Sequence, residues 1–183
     1  MTVAIMEASA GYDAFEEVAS FFWWQVQNDP SLRSRLRRCS SVSGALLVPQ
    51  VHVLQGKFGQ PTPSMEAVAR FAMLACGIGQ NSGTSLGEWI ARTLKANKGA
   101  GTSKEWRRSC DGRLDALLRT SNPDIFVRLL GALAARSGAC STKPGGRLPV
   151  GPAARAIFAW DHVETRRRAA AKIARDYAAA TGY

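Results

Sequence analysis

The side chains able to do acid–base or metal chemistry in this chain are few and poorly arranged. His52 and His162 are its two histidines. His52 sits in the apolar stretch Val51-His-Val-Leu54, a setting for a structural imidazole before a catalytic one. His162 follows Trp160-Asp161 at an expected helix junction, where it can act as a cap. Neither has a cysteine or carboxylate partner at metal-site spacing, so no zinc or two-metal nuclease site is expected. The four cysteines, Cys39, Cys76, Cys110 and Cys140, are irregularly spaced with no CxxC pair. That spacing fits neither a zinc site nor a disulfide framework. Cys39 and Cys110 fall on apolar helix faces as core thiols do, and a reducing cytoplasm is the simplest compartment. Gly77-Ile-Gly79 ends an expected helix, and Gly99-Ala-Gly101-Thr-Ser-Lys104 has the letters of a phosphate loop in the wrong order. Glu105, Asp111, Asp115, Asp161 and Glu164 read as helix-face partners of nearby cations. The expectation is no enzyme, no cofactor and no metal.

Cations are the abundant chemistry. The net charge is +10 over 183 residues. It is uneven: residues 1–31 hold five acids (Glu7, Asp13, Glu16, Glu17, Asp29) and no Lys or Arg, so all 24 basic residues lie beyond them. Such a field favours polyanions, nucleic acid first, an anionic membrane second and acidic proteins third. A solubilising surface is the bland alternative, and arginine's planar fork tilts the balance toward phosphate. Three basic faces stand out. The first is Arg33, Arg35, Arg37 and Arg38. The second is Lys104, Arg107 and Arg108, with Lys95 and Lys98 before them and Arg119 one face further on. The third lies in the C-terminal helix, where Arg168, Lys172 and Arg175 recur at i, i+4 and i+7 behind Arg166 and Arg167. Val163, Ala170, Ile173, Ala174 and Tyr177 make the expected apolar stripe opposite. Cations on one helix face can follow a phosphate row. Trp23, Trp89, Trp106 and Trp160 fit apolar faces better than a base-stacking platform, whereas Trp24 is a candidate for a protein interface.

The elements that must position these faces read as helices. Residues 12–27 hold Phe15, Val18, Phe22 and Val26 at helical spacing. Asp29-Pro30 opens a helix to about 40, and Pro49 divides two short helices or turns. Gly56 to Pro63 reads as a loop. Ser64 caps a helix to about Gly77, and Ser85-Leu-Gly-Glu88 is a capping box before Trp89, Ile90 and Leu94. Lys104–Arg119 is one helix, with a bend at Gly112 allowed for. Asn122-Pro123 opens another through Ile125, Leu129, Leu130 and Leu133, and two follow at about 149–161 and 163–180. No run alternates with period two, so no sheet is expected. The prediction is an all-α bundle of about eight helices in two packed halves, 10–94 and 104–180, flanking the break Lys95–Ser103 and forming one continuous unit. The apolar run Val68–Gly79 is too short to span a bilayer and contains Arg70. With Glu7 and no basic n-region, no signal peptide is expected.

The order of these motifs resembles a known family. Phe21-Phe-Trp-Trp-Gln-Val-Gln-Asn-Asp-Pro30, continuing to Ser40, is similar to the start of the CasB family, the small subunit of type I-E CRISPR Cascade. So are the Ser85-Leu86-Gly87 helix start, the helix Glu105-Trp-Arg-Arg108 to Arg119, and the ending Trp160-Asp161 to Ile173-Ala-Arg-Asp-Tyr177. The resemblance implies an all-α, non-catalytic subunit that sits as a dimer along the complex. Implied partners are the backbone subunits carrying the guide RNA, the large subunit, the guide–target duplex and the displaced non-target strand. Cleavage would belong to a separately recruited nuclease-helicase. The other reading of the residues is a stand-alone helix-turn-helix DNA-binding regulator, for which residues 30–47 come closest, though base-reading Asn or Gln is lacking there.

Overall fold

The computed structural model describes residues 3–60, 62–96, 103–137 and 146–182, with side chains placed from Ala14 onward except at 103–107 and 146. The first helix, α1 (Val3–Asn28), buries Ala19, Phe22 and Val26. At its end Asp29 accepts a hydrogen bond from Leu32 N at 2.9 Å, and Pro30 starts α2 (Pro30–Arg38), which buries Leu32 and Leu36. Ser41 then caps α3 (Val42–Leu46), and Pro49 opens α4 (Pro49–Lys57). Each start satisfies amide donors that a helix's first turn leaves unpaired.

Ser64 caps α5 (Met65–Ala75), accepting from Ala67 N at 3.0 Å. Seven of its residues are buried around most of its circumference, the pattern of a central helix. It packs against α3, α4, α8 and α9. Ser85 Oγ receives Glu88 N at 3.3 Å and starts α6 (Leu86–Ala96). Then come α7 (Ser103–Arg119), continuous through Gly112, and α8 (Pro123–Ser137), whose cap Asn122 accepts from Asp124 N and Ile125 N. The last two are α9 (Val150–Ala159) and α10 (Val163–Thr181). One apolar cluster runs from Ala19 to Tyr177 through residues of both chain halves. Its centre is aromatic: Phe15, Phe58, Phe71 and Phe158 lie with ring centroids 4.6–6.0 Å apart, drawing together α1, α4, α5 and α9. Phe126 stacks on Trp160 at 3.6 Å.

Three details differ from the sequence reading. The segment read only as a helix-ending loop holds β1 (Ile78–Asn81), which pairs in parallel with β2 (Gly146–Leu148). Strands of four and three residues are too short to show alternation, and their partners lie far apart in the chain. In α8 the buried stripe is Phe126, Leu130, Leu133 and Ala134, while Ile125 is exposed and Leu129 half-buried. In α10, Val163, in the first turn, is 51% exposed and outside the stripe.

Candidate nucleic-acid interface

The row on α10 is the best defined of the three basic faces. Ile173 and Tyr177 are buried, with Ala170 and Ala174 half-buried beside them. Arg168, Lys172 and Arg175 are all exposed on the other side, as a spacing of four and three residues per turn requires. Lys172 Nζ lies 3.6 Å from Asp176. Arg168 and Arg175 have no ion pair or hydrogen bond among the described residues. The helix ends at Gly182, whose φ of 79° favours glycine,. What places α10 is close contact with α6: a Cβ on Gly87 would lie 2.3 Å from Ile173 O. A groove of about 510 Å³ runs beside the row, with Arg155, Arg168 and Lys172 balanced by Glu16 and Asp176 over a floor of small apolar residues. Neither the groove nor Arg155's place in it was foreseen; Arg155 comes from a different helix, and its partner Glu16, at 3.2 Å, from a third.

The other predicted cations of α10 are engaged within the protein. Arg166 Nη1 donates to Ser121 O at 3.1 Å, holding the helix to the start of α8. Arg167 pairs with Glu164 at 3.2 Å on the surface.

On α2 the same sorting occurs. Arg33 is half-buried and its Nε donates to Cys76 O at 3.2 Å. Arg35, Arg37 and Arg38 are exposed, and Arg38 also donates to Ser34 O at 3.3 Å. Burial pushes the Cys76 thiol up, while the charges of Arg37 and Arg33 pull the other way. This face therefore combines free cations with one that braces α2 against the end of α5.

The α7 face is diluted. The side chains of Lys104 and Arg107, and the whole of Lys98, lie outside the described residues. Lys95 and Arg108 are exposed. Arg119 falls on the Arg108 side by helical period, and its Nε is bound to Asp115 at 2.5 Å. Asp111 lies between them on the same side. Two carboxylates among these cations weaken the field that a phosphate would meet. The structure thus keeps the α10 row together and leaves the three faces on separate helices.

A family model described as CRISPR-associated protein Cse2 matches residues 32–177. The chain belongs to the Cse2 family. This family, also called CasB, is the small subunit of type I-E Cascade, a structural and generally non-catalytic member of the complex. The Cse2 match takes in α2 from Leu32 onward, α7 and the whole α10 row, and begins after Phe21-Phe-Trp-Trp24. Neither a curated protein nor a solved structure matches the chain.

In this Cse2 chain His52 is exposed, with Nε2 2.7 Å from Leu46 O. His162 is the N-cap residue of α10 without a side-chain capping bond. Among the described residues no three His, Cys, Asp or Glu side chains converge as metal ligands, and no helix is long and apolar enough to cross a membrane. For the helix-turn-helix alternative, α3 has five residues, too short to lie along a major groove as a recognition helix does. Trp89 and Trp160 are buried and Trp23 is half-buried, its Nε1 donating to Ile78 O at 3.0 Å. Trp106 lies among the side chains outside the described residues.

Proposed function

We propose that this cytoplasmic small subunit stabilises the opened target of Cascade by gripping phosphates, chiefly through Arg168, Lys172 and Arg175. The observation that carries the reading is the exposed α10 row, fixed by packing and lying inside the Cse2 match. Exchanging a DNA duplex for an RNA–DNA duplex is nearly balanced in free energy, so a few backbone contacts decide how long the loop stays open. Base pairing reads the sequence, leaving this subunit to supply charge and shape. Arg35, Arg37 and Arg38 on α2, and Arg108 on α7, extend the basic surface toward the guide–target duplex or the displaced strand. The partners in this reading are guide RNA, both DNA strands, the backbone and large subunits, and a second copy of the chain.

The test replaces Arg168, Lys172 and Arg175 with Ala together. The fold should survive, because all three side chains point away from the core. The slope of log K against log salt should become shallower by ~0.9 per lost contact on duplex, or ~0.7 on a single strand. Affinity should fall equally on unrelated sequences. A triple change at the exposed Arg35, Arg37 and Arg38, which leaves the Arg33 brace in place, separates roles: an unchanged slope with weaker assembly marks a protein interface. If neither variant alters binding to single-stranded or guide-paired DNA at low salt, the phosphate-gripping role is wrong.

A further inference from the structure

The groove beside the α10 row holds charges of both signs. Arg168 and Lys172 line it and also belong to the exposed row, whereas Arg175 does not line it. Glu16 of α1 and Asp176 of α10 line it too. Arg155 is held within the protein, paired with Glu16 and 5.4 Å from the centre of the Phe15 ring. Its bonds to Glu16 fall on Oε1, and Lys172 approaches Asp176 at Oδ2. Among the described residues Glu16 Oε2 and Asp176 Oδ1 have no partner. The two carboxylate side chains are 35% and 24% exposed, so neither is sealed from an entering group. Small side chains, Ala156, Ala159 and Ala169 among them, leave the groove its volume of about 510 Å³. That is the size of a small-ligand site, with an apolar lining and a few polar groups as such sites have.

We propose that this groove seats one nucleobase of a single strand held on the α10 row, an amino-bearing base and guanine before the others. The two carboxylates repel a phosphate from the groove itself, so the backbone stays outside on Arg168 and Arg175 and the uncharged base turns in. The apolar lining takes the face of the ring, as pockets for extruded bases do. An ionised carboxylate only accepts hydrogen bonds, so the base must bring donors. Thymine offers one N–H between two carbonyls, which the carboxylates disfavour. Adenine, cytosine and guanine each bring an amine, and guanine sets its N1–H beside that amine, matching the paired oxygens of a carboxylate. A protein side chain is the poorer occupant, because the cations at the mouth continue into a row that suits a polyanion. The inference rests on the phosphate grip proposed above; the row stays blind to sequence, and the groove adds a preference at a single nucleotide.

The experiment measures binding of the full chain, at low salt, to a short thymidine oligonucleotide by fluorescence anisotropy. The same strand is tested with one central deoxyguanosine, or one deoxyinosine, which lacks only the 2-amino group. Wild type should hold the guanine strand at least about fivefold more tightly than the all-thymine strand, with inosine in between. Three variants follow: Ala169→Leu, which fills the groove, and Glu16→Gln and Asp176→Asn, which leave one acceptor oxygen where there were two. The readout is the guanine-to-thymine ratio, since removing a carboxylate strengthens the hold on every strand. Ala169→Leu should bring the ratio to one, and at least one of the two amide variants should lower it. Equal binding of guanine and thymine strands by wild type overturns the inference alone and leaves the groove to a protein side chain. Inosine bound as tightly as guanine overturns it, because the carboxylates then read no amine. A ratio that survives all three variants places the base elsewhere and overturns it too. Wild type with no salt-dependent hold on any strand overturns the parent reading as well.

Discussion

At Gly87, in the first turn of α6, an added Cβ would lie 2.3 Å from Ile173 O and 2.8 Å from Tyr177 N. Both atoms are backbone of α10, so neither can swing aside as a side-chain tip would. Gly87→Ala should therefore cost about 3 kcal/mol, the upper range for overpacking, measured by urea unfolding. Gly112, inside α7, has nothing within 4 Å of the same position. There the substitution restricts the unfolded chain and improves helix propensity, so Gly112→Ala should stabilise by up to about 1 kcal/mol. Shifts of the same sign at both positions would contradict this packing.

Among the elements, α9 starts in an unusual way. Its N-cap is Pro149, which has no side-chain acceptor, and Val150 N instead donates to Asn81 Oδ1 at 3.0 Å. A strand 69 residues earlier in the chain thus caps the helix. Asn81→Ala should cost about 1 kcal/mol, as loss of an N-cap does, with faster hydrogen exchange at the start of α9. This contact shows what was legible beforehand. Asp29, Ser64, Ser85 and Asn122 announced their helices, because a cap and its amides lie within three residues of each other. The strands and the Asn81 cap depend on a meeting of distant segments and left no local pattern. The site divides likewise. Helical period alone put Arg168, Lys172 and Arg175 on one face, but the partners that occupy Arg33 and Arg166, Cys76 O and Ser121 O, lie 43 and 45 residues away. The Asp115–Arg119 pair, at i and i+4, was within reach of the sequence. The groove beside the α10 row was not, since α1, α6 and α9 supply much of its wall.

For the whole molecule, Arg70 is a polar tie between early and late segments. It donates from α5 to Asp124 of α8 at 2.8 Å and to Asp161, just before α10, at 2.9 Å. Ser64 also hydrogen-bonds Asp161. The Arg70 and Asp161 side chains are only 14% and 15% exposed, so removing one leaves a partly desolvated charge behind. Arg70→Met should cost about 3 kcal/mol. Asp115→Ala, which breaks an ion pair at the surface, should stay within about 0.5 kcal/mol. The segments 10–94 and 104–180 should melt together, giving coincident transitions by tryptophan fluorescence and far-UV circular dichroism.

The backbone contact at Gly87 has one more effect, a mechanical one. With α6 pressed against its main chain, α10 can neither roll about its axis nor slide lengthwise without driving one backbone into another. The anchor points of Arg168, Lys172 and Arg175 are thus marks on a rigid ruler, about 10 Å from first to last. Any polyanion laid along it is the compliant member of the pair. In the proposed function the strand's spacing would adjust to the helix, and the loss of freedom on contact would fall mainly on the strand and the tips of the three side chains.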